Sequence, residues 1–224
     1  MNLNYSLKAF SKLTHNELSK RSAIHQAGHA VAIYFNNRQK QLPPFFFQIY
    51  CQEQPGYFEL PQSLYRVNDK GIAELDDDRL TQNLPLSLQE ATKPVCAEKI
   101  RTYEYAFEAD IISLLSGPLA EAKYVAMRDG ELINPRLVNL NALHYYGGTY
   151  DLETVNDYLA CSIVGKVARE KKIAELYVDA FGFINDGSNW LAITVLAYYI
   201  LTDSRNIIEC EEIMPYLTPS LVKS

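Results

Sequence analysis

The sequence predicts an α+β protein that is mostly α-helical and carries a short β-hairpin or small sheet. Apolar residues recur at the spacing of a helix face near the N-terminus and again across most of the second half of the chain. Between these regions, aromatic runs are separated by a Gln-Pro-Gly turn signal, which is typical of short strands. No internal repeat and no Gly/Ser-rich linker divides the sequence, so we predict a single domain over residues 1–224.

The first predicted element is a helix over about residues 14–36. Thr14 and Glu17 match the T-x-x-E capping box that commonly opens a helix, and Asn36 and Asn37 are expected to end it. Apolar or small residues recur on one face of this helix: Ile24, Gly28, Val31 and Phe35. That face is expected to pack against the core.

The region over about residues 40–100 is predicted to hold the hairpin and a polar connection. Aromatic residues at 45–50 and 57–60 favour two strands, and the acidic run at 74–78 is expected to be a solvated loop. From about residue 103 to 220 the apolar pattern is helical. The predicted helices cover residues 105–116, 118–128, 152–175, 189–202 and 207–217.

The composition argues against a nucleic-acid partner and against a membrane span. The chain has 21 Lys and Arg against 27 Asp and Glu, and its net charge of -6 gives no general attraction to phosphate. The longest apolar run, residues 191–201, is about half as long as a helix that crosses a bilayer. The N-terminus has no apolar secretory signal and the 4 Cys form no CxxC pair, so we expect a cytoplasmic protein with reduced thiols.

The residues that most clearly suggest chemistry are His25 and His29. Two histidines four positions apart project from one face of a helix and can bind one tetrahedral metal ion. With 4 His in 224 residues, a pair at this spacing arises by chance in about one such chain in twenty. The spacing alone therefore leaves open two helix histidines that only make local hydrogen bonds.

The residues around this pair resemble a known metal-binding helix. Residues 22–32 read SAIHQAGHAVA, which is similar to the HEAGHA segment of the zinc-binding helix in the FtsH family of ATP-dependent zinc metallopeptidases. Residues 115–122, LSGPLAEA, are similar to the family's GGRxAEE segment, and residues 147–155, GGTYDLETV, to its TxGAxNDL segment. The strands expected at 45–50 and 56–60 also look like those that follow the zinc helix in that family.

The resemblance implies a helical bundle like the FtsH peptidase domain, with the small sheet beside the zinc helix. One Zn²⁺ per chain is then expected, with His25, His29 and Asp151 as ligands and a fourth position left open for water. His144 precedes Asp151 closely in the sequence and remains an alternative third ligand.

The sequence also departs from the family pattern. Gln26 stands where the family has the Glu that acts as general base, and a neutral amide cannot take a proton from water near neutral pH. Loss of a general base typically lowers a rate by about 10²–10⁴-fold. Glu121 is expected either to accept a hydrogen bond from a ligand histidine or to act as a substitute base. Pro118 replaces the family's Arg, and an insert containing residues 127–146 can reshape or cover the cleft.

These observations predict a pseudopeptidase that keeps zinc and binds a peptide or an unfolded protein segment with little or no cleavage. Two alternatives remain: an active zinc metallopeptidase with a displaced general base, and a metal-free helical module that binds proteins. The sequence contains no G-x-x-x-x-G-K-[ST] motif, so no ATP site is predicted within these residues. A separate AAA ATPase chain or a homo-oligomer therefore stays open as a partner.

Overall fold

The computed structural model describes residues 3–42, 47–50, 97–203, 205 and 207–217, and this part of the chain is mostly helical with a small antiparallel sheet. The coarse fold class predicted from the sequence is therefore confirmed. The elements in chain order are α1 (Leu3–Gln39), β1 (Gln48–Tyr50), α2 (Ala97–Arg128), a 3₁₀ helix (Leu140–Tyr146), α3 (Thr149–Ser162), α4 (Lys166–Asn185), α5 (Gly187–Thr202), β2 (Ile207–Glu209) and α6 (Cys210–Leu217).

The core is organised around the contact between α1 and α2. The facing residues are mostly Ala, Val and Leu, and many of them are completely buried: Ala27, Ala30, Val31, Leu115 and Leu119. A Cβ atom on Gly28 would lie 2.7 Å from the Ser116 carbonyl oxygen, so only glycine allows the two helices to approach this closely. Around this pair, α5 packs on α1, while α3 and α4 pack on α2.

Helix α1 begins well before the predicted start. The capping-box prediction is wrong, because Thr14 lies inside a continuous helix that begins at Leu3. Neither Pro nor Gly, the two residues that oppose a helix most strongly, precedes Gly28 in α1. The T-x-x-E pattern is a local signal, and it does not start a helix where the preceding residues are already helical.

Helix α2 is one element where two were predicted. The helices expected at 105–116 and 118–128 are joined, with Pro118 inside the combined helix. Proline removes one backbone hydrogen bond, but Leu115 and Leu119 on either side are fully buried against the core. Tertiary packing therefore holds the helix together across the proline.

The opposite error occurs at 152–175, where one helix was predicted and the structure has two. Helix α3 ends at Ser162, Ile163 is extended, and Gly165 takes a φ of 97° before α4 begins. An L-residue rarely adopts that φ, so Gly165 marks the break. The apolar pattern continues through the break and gave no sign of it.

The sheet forms between strands that are far apart in sequence. Strand β1 lies within the predicted segment 45–50, and Ile49 pairs with Ile208 of β2 in antiparallel register. The helix predicted over 207–217 is therefore wrong in its first turn: Ile207–Glu209 is a strand because Ile208 fills a fully buried position beside β1. The predicted partner strand at 57–60 and the loop at 74–78 lie outside the described residues.

Within the described ranges, no helix combines the length and the apolar character that crossing a membrane requires.

Candidate metal centre

His25 and His29 lie one turn apart on the face of α1 that meets α2. Both side chains are almost completely buried, and their ring centroids are 4.7 Å apart. A buried imidazole is stable only if its ring nitrogens have partners. The hydrogen-bond partner of one ring nitrogen determines whether the other nitrogen can bind a metal ion.

The ring of His29 is oriented by the backbone of α2. Its Nδ1 lies 2.8 Å from the carbonyl oxygen of Ser113. A carbonyl oxygen can only accept, so Nδ1 carries the proton and donates it. Burial lowers the pKa of His29 and outweighs the opposing attraction of Asp151, so the ring stays neutral. Its Nε2 therefore presents a lone pair.

The ring of His25 is oriented by Glu121 in the same way. Its Nδ1 is 3.0 Å from Oε2 of Glu121. Burial raises the pKa of Glu121, but contacts with His25 and Arg21 outweigh burial and hold that pKa below its usual value. The ionised carboxylate only accepts hydrogen bonds, so His25 donates from Nδ1 and its Nε2 points away from Glu121.

Asp151 completes the group from the first turn of α3. Its Oδ2 is 3.3 Å from Nε2 of His25, and its Oδ1 is 3.4 Å from Nε2 of His29. The two contacts involve different oxygens of Asp151, and each is close to the separation of about 3.3–3.4 Å between two ligand atoms of a tetrahedral ion with bonds of about 2.0–2.1 Å. One ligand atom from each of the three residues lies within 4.8 Å of the others. This buried cluster can hold a metal ion.

In the metal-free chain, a proton makes only one of the two histidine–Asp151 contacts favourable. Burial lowers the pKa of His25, but hydrogen bonds with Asp151 and Glu121 outweigh burial and raise it to about 9 in the metal-free chain. A proton on His25 then bridges to one oxygen of Asp151. The neutral His29 still directs its lone pair at the other oxygen, which is an unfavourable contact. A metal ion accepts electron pairs from both histidines and from the carboxylate at once.

Two glycines make room for the cluster. A Cβ atom on Gly117 would lie 2.2 Å from Nε2 of His29, so any side chain at 117 occupies the space of that ring. Gly147 has a φ of 71° and ends the 3₁₀ helix, which turns the chain into α3 and brings Asp151 to the site. A Cβ at Gly147 would also lie 3.1 Å from the ring of His25.

The other predicted site residues take distinct positions. Gln26 is buried on α1 between the two histidines. Oε1 of Glu121 accepts from Nε of Arg21 at 2.8 Å, so both carboxylate oxygens of Glu121 have partners. His144, the alternative ligand, is exposed, lies 3.3 Å from the Thr149 hydroxyl, and is not a member of the described cluster.

No protein-family model, curated protein or solved structure matches this chain. The resemblance to FtsH peptidases therefore rests on the sequence motifs alone.

Two contacts of the site were not predicted from the sequence: that of Arg21 with Glu121 and that of the Ser113 carbonyl with His29. Arg21 is four residues before His25 and so lies on the same helical face, which was a usable signal for its position. The Ser113 carbonyl that orients His29 belongs to the backbone. A backbone acceptor has no signature in a sequence, so only the packing of α2 on α1 reveals it.

Proposed function

We propose that this chain is a zinc-binding domain related to the FtsH peptidases that binds peptides or unfolded protein segments and hydrolyses them weakly or not at all. The observation that carries the proposal is the convergence of the Nε2 atoms of His25 and His29 on the buried carboxylate of Asp151. Each Nε2 faces Asp151 because Nδ1 of the same ring donates to an acceptor on α2. That arrangement is typical of histidine ligands in metal sites.

Zinc fits this donor set, and the FtsH resemblance favours it over other metals that two imidazoles and a carboxylate can bind. Neutral imidazole and carboxylate are common zinc ligands, and three protein ligands with an open fourth position are typical of catalytic zinc sites. When bound, zinc supplies Lewis acidity to a carbonyl or a water that reaches the open position. The residues that hold it in this proposal are His25, His29 and Asp151, in agreement with the ligand set that the FtsH resemblance implies.

The proposed loss of hydrolysis follows from the proton acceptors at the site. Gln26 replaces the expected base with an amide, which has no useful basicity. Glu121 is held by His25 and Arg21 on the Nδ1 side of the imidazole, away from the metal-facing Nε2. Asp151 faces both histidines. Neither carboxylate is therefore placed to take a proton from an attacking water.

Two exposed aromatic residues lie close in sequence to Asp151. Tyr145 and Tyr150 flank the Gly147 turn and are 81% and 64% exposed, close in sequence to the ligand Asp151. Exposed aromatic rings provide large contact areas for apolar side chains of an extended chain. The choice of a peptide as ligand rests on the FtsH resemblance, and these exposed rings are compatible with it.

Zinc content and peptide cleavage test the proposal together. We expect about one zinc per chain in protein purified without added metal, its loss in His25→Ala, and its retention in His144→Ala, an exposed histidine that serves as the matched control. Cleavage of an unfolded protein substrate should be near background and should rise at least about 10-fold in Gln26→Glu.

Other outcomes contradict separate parts of the proposal. Chelator-sensitive cleavage by the unmodified chain, abolished in His25→Ala, would show an active peptidase with another base. Absence of zinc after reconstitution would reject the metal site and leave a helical interaction module.

A further inference from the structure

Arg21 joins three parts of the candidate metal centre. Its Nε and Nη2 reach Oε1 of Glu121 at 2.8 Å and 2.6 Å, and its Nη2 donates to the backbone carbonyl of Tyr145 at 3.1 Å. Arg21 belongs to α1, Glu121 to α2, and Tyr145 to the 3₁₀ helix that leads into α3. We call this group the Arg21 bridge.

The bridge acts on both sides of the ligand set. Through Glu121 it reaches Nδ1 of His25, since the other carboxylate oxygen lies 3.0 Å from that nitrogen. Through Tyr145 it reaches the segment that carries Asp151, because only the Gly147 turn and the first residues of α3 separate the two. The hydrogen bond from Arg21 to the Tyr145 carbonyl thus ties this segment to α1.

We infer that Arg21 is a positioning residue for the metal centre, one that sets the orientation of His25 and the placement of Asp151 without touching the ion. This inference rests on the proposed zinc site. The side chain of Glu121 is 5% exposed, so its orientation is set by its protein partners. Partners behind a ligand histidine commonly change metal affinity by about 10–100-fold when they are removed.

The sign of the effect separates positioning from charge. If Arg21 acts only through its charge, removing it strengthens metal binding, because the repulsion between the guanidinium and the divalent ion disappears. Removing a positioning contact weakens metal binding, because the ligands no longer share one geometry. A structural role alone lowers the stability of the metal-free chain and leaves the electronic spectrum of bound metal unchanged.

The test compares the full chain with Arg21→Met, Arg21→Lys and the control Arg38→Met. Arg38 is an exposed arginine on the same helix whose contact is the Tyr34 hydroxyl. Zinc affinity is measured by competition with a chromophoric chelator, and Co²⁺ absorption reports the ligand geometry. We expect Arg21→Met to bind zinc about 10–100-fold more weakly with an altered Co²⁺ spectrum. Arg21→Lys should lie between it and the unmodified chain, and Arg38→Met should match the unmodified chain.

Each contrary result has one meaning. Zinc affinity of Arg21→Met equal to or tighter than that of the unmodified chain overturns the inference and leaves the proposed zinc site standing. If Arg21→Met does not fold by circular dichroism, Arg21→Lys decides: weaker zinc binding supports positioning, and unchanged binding overturns it. If the unmodified chain binds neither zinc nor Co²⁺, the proposed function fails, and with it the inference.

Discussion

Replacing Gly117 with Ala places a methyl group in the space that the ring of His29 occupies. The added Cβ would lie 2.2 Å from Nε2 of His29, whereas ordinary contacts begin at 3.4 Å, so ring and backbone must separate by about 1 Å. Metal–ligand distances tolerate deviations of only about 0.2 Å. The substitution therefore moves a ligand atom several times farther than a metal bond allows, and we expect zinc affinity to fall by at least about 100-fold.

Thermal unfolding with and without zinc measures this loss. A ligand at 100 times its dissociation constant stabilises the folded state by about 2.7 kcal/mol, which for a chain of this size raises the Tm by about 5–10 °C. At the same zinc concentration, a variant with 100-fold weaker affinity gains only about 0.4 kcal/mol, or about 1 °C. Without zinc, steric crowding in Gly117→Ala should lower the free energy of unfolding by about 1–3 kcal/mol. The higher helix propensity of Ala offsets up to about 1 kcal/mol of this loss.

Gly182→Ala is the matched control for this substitution. Gly182 lies inside α4, and a Cβ there meets no atom within 4 Å. We expect the control to keep the full zinc-induced rise in Tm and to gain up to about 1 kcal/mol of stability from helix propensity. If Gly117→Ala shows the same zinc-induced rise as the unmodified chain, His29 does not bind the metal in the geometry described here and the ligand assignment is refuted.

Two further predictions concern the fold. Ile208→Ala should lower the free energy of unfolding in urea by about 2–5 kcal/mol, because this side chain is fully buried. The control Ile207→Ala, at the exposed neighbouring position, should change it by no more than about 0.5 kcal/mol. Equal effects of the two substitutions would contradict the strand assignment. Burial raises the pKa of Glu108, but Lys172 and Lys40 outweigh burial and lower it, so this carboxylate stabilises the fold above its unfolded pKa and the contribution is lost as pH falls through the lower folded pKa. Glu108→Gln should therefore lower stability at neutral pH and flatten its dependence below about pH 4.5, and parallel acid-unfolding curves for the two proteins would refute this role.

Sequence reasoning succeeded where one local pattern determines the outcome. Helical periodicity identified α1 and α5, and the resemblance of residues 147–155 to an FtsH segment pointed to Asp151. It failed where distant packing decides. Ile208 is a strand residue because of its pairing with Ile49, some 160 positions earlier, and the helical pattern of the following residues concealed this.

The same limit applies to the metal centre. A spacing of four residues suggests that two histidines can share an ion, but it does not say which nitrogen of each ring faces the ion. That choice depends on the Ser113 carbonyl and on Glu121, which α2 supplies from about 90 residues away. Motif similarity drew attention to Glu121 and left its role open between orienting a ligand and accepting a proton. Its two contacts, to His25 and to Arg21, favour the orienting role.

If the proposed function is correct, the neutral side chain of Gln26 separates metal binding from hydrolysis. In the proposed function, metal retention depends on where the Nε2 atoms of His25 and His29 point, and acceptors on α2 set that direction. Hydrolysis also needs a group that takes a proton from water, and the Gln26 amide does not provide one. Gln26→Glu should therefore change cleavage with little change in zinc affinity, whereas Gly117→Ala should change zinc affinity without adding or removing a proton acceptor. If Gln26→Glu changes only cleavage and Gly117→Ala lowers zinc affinity, then metal binding and proton transfer at this site depend on different residues.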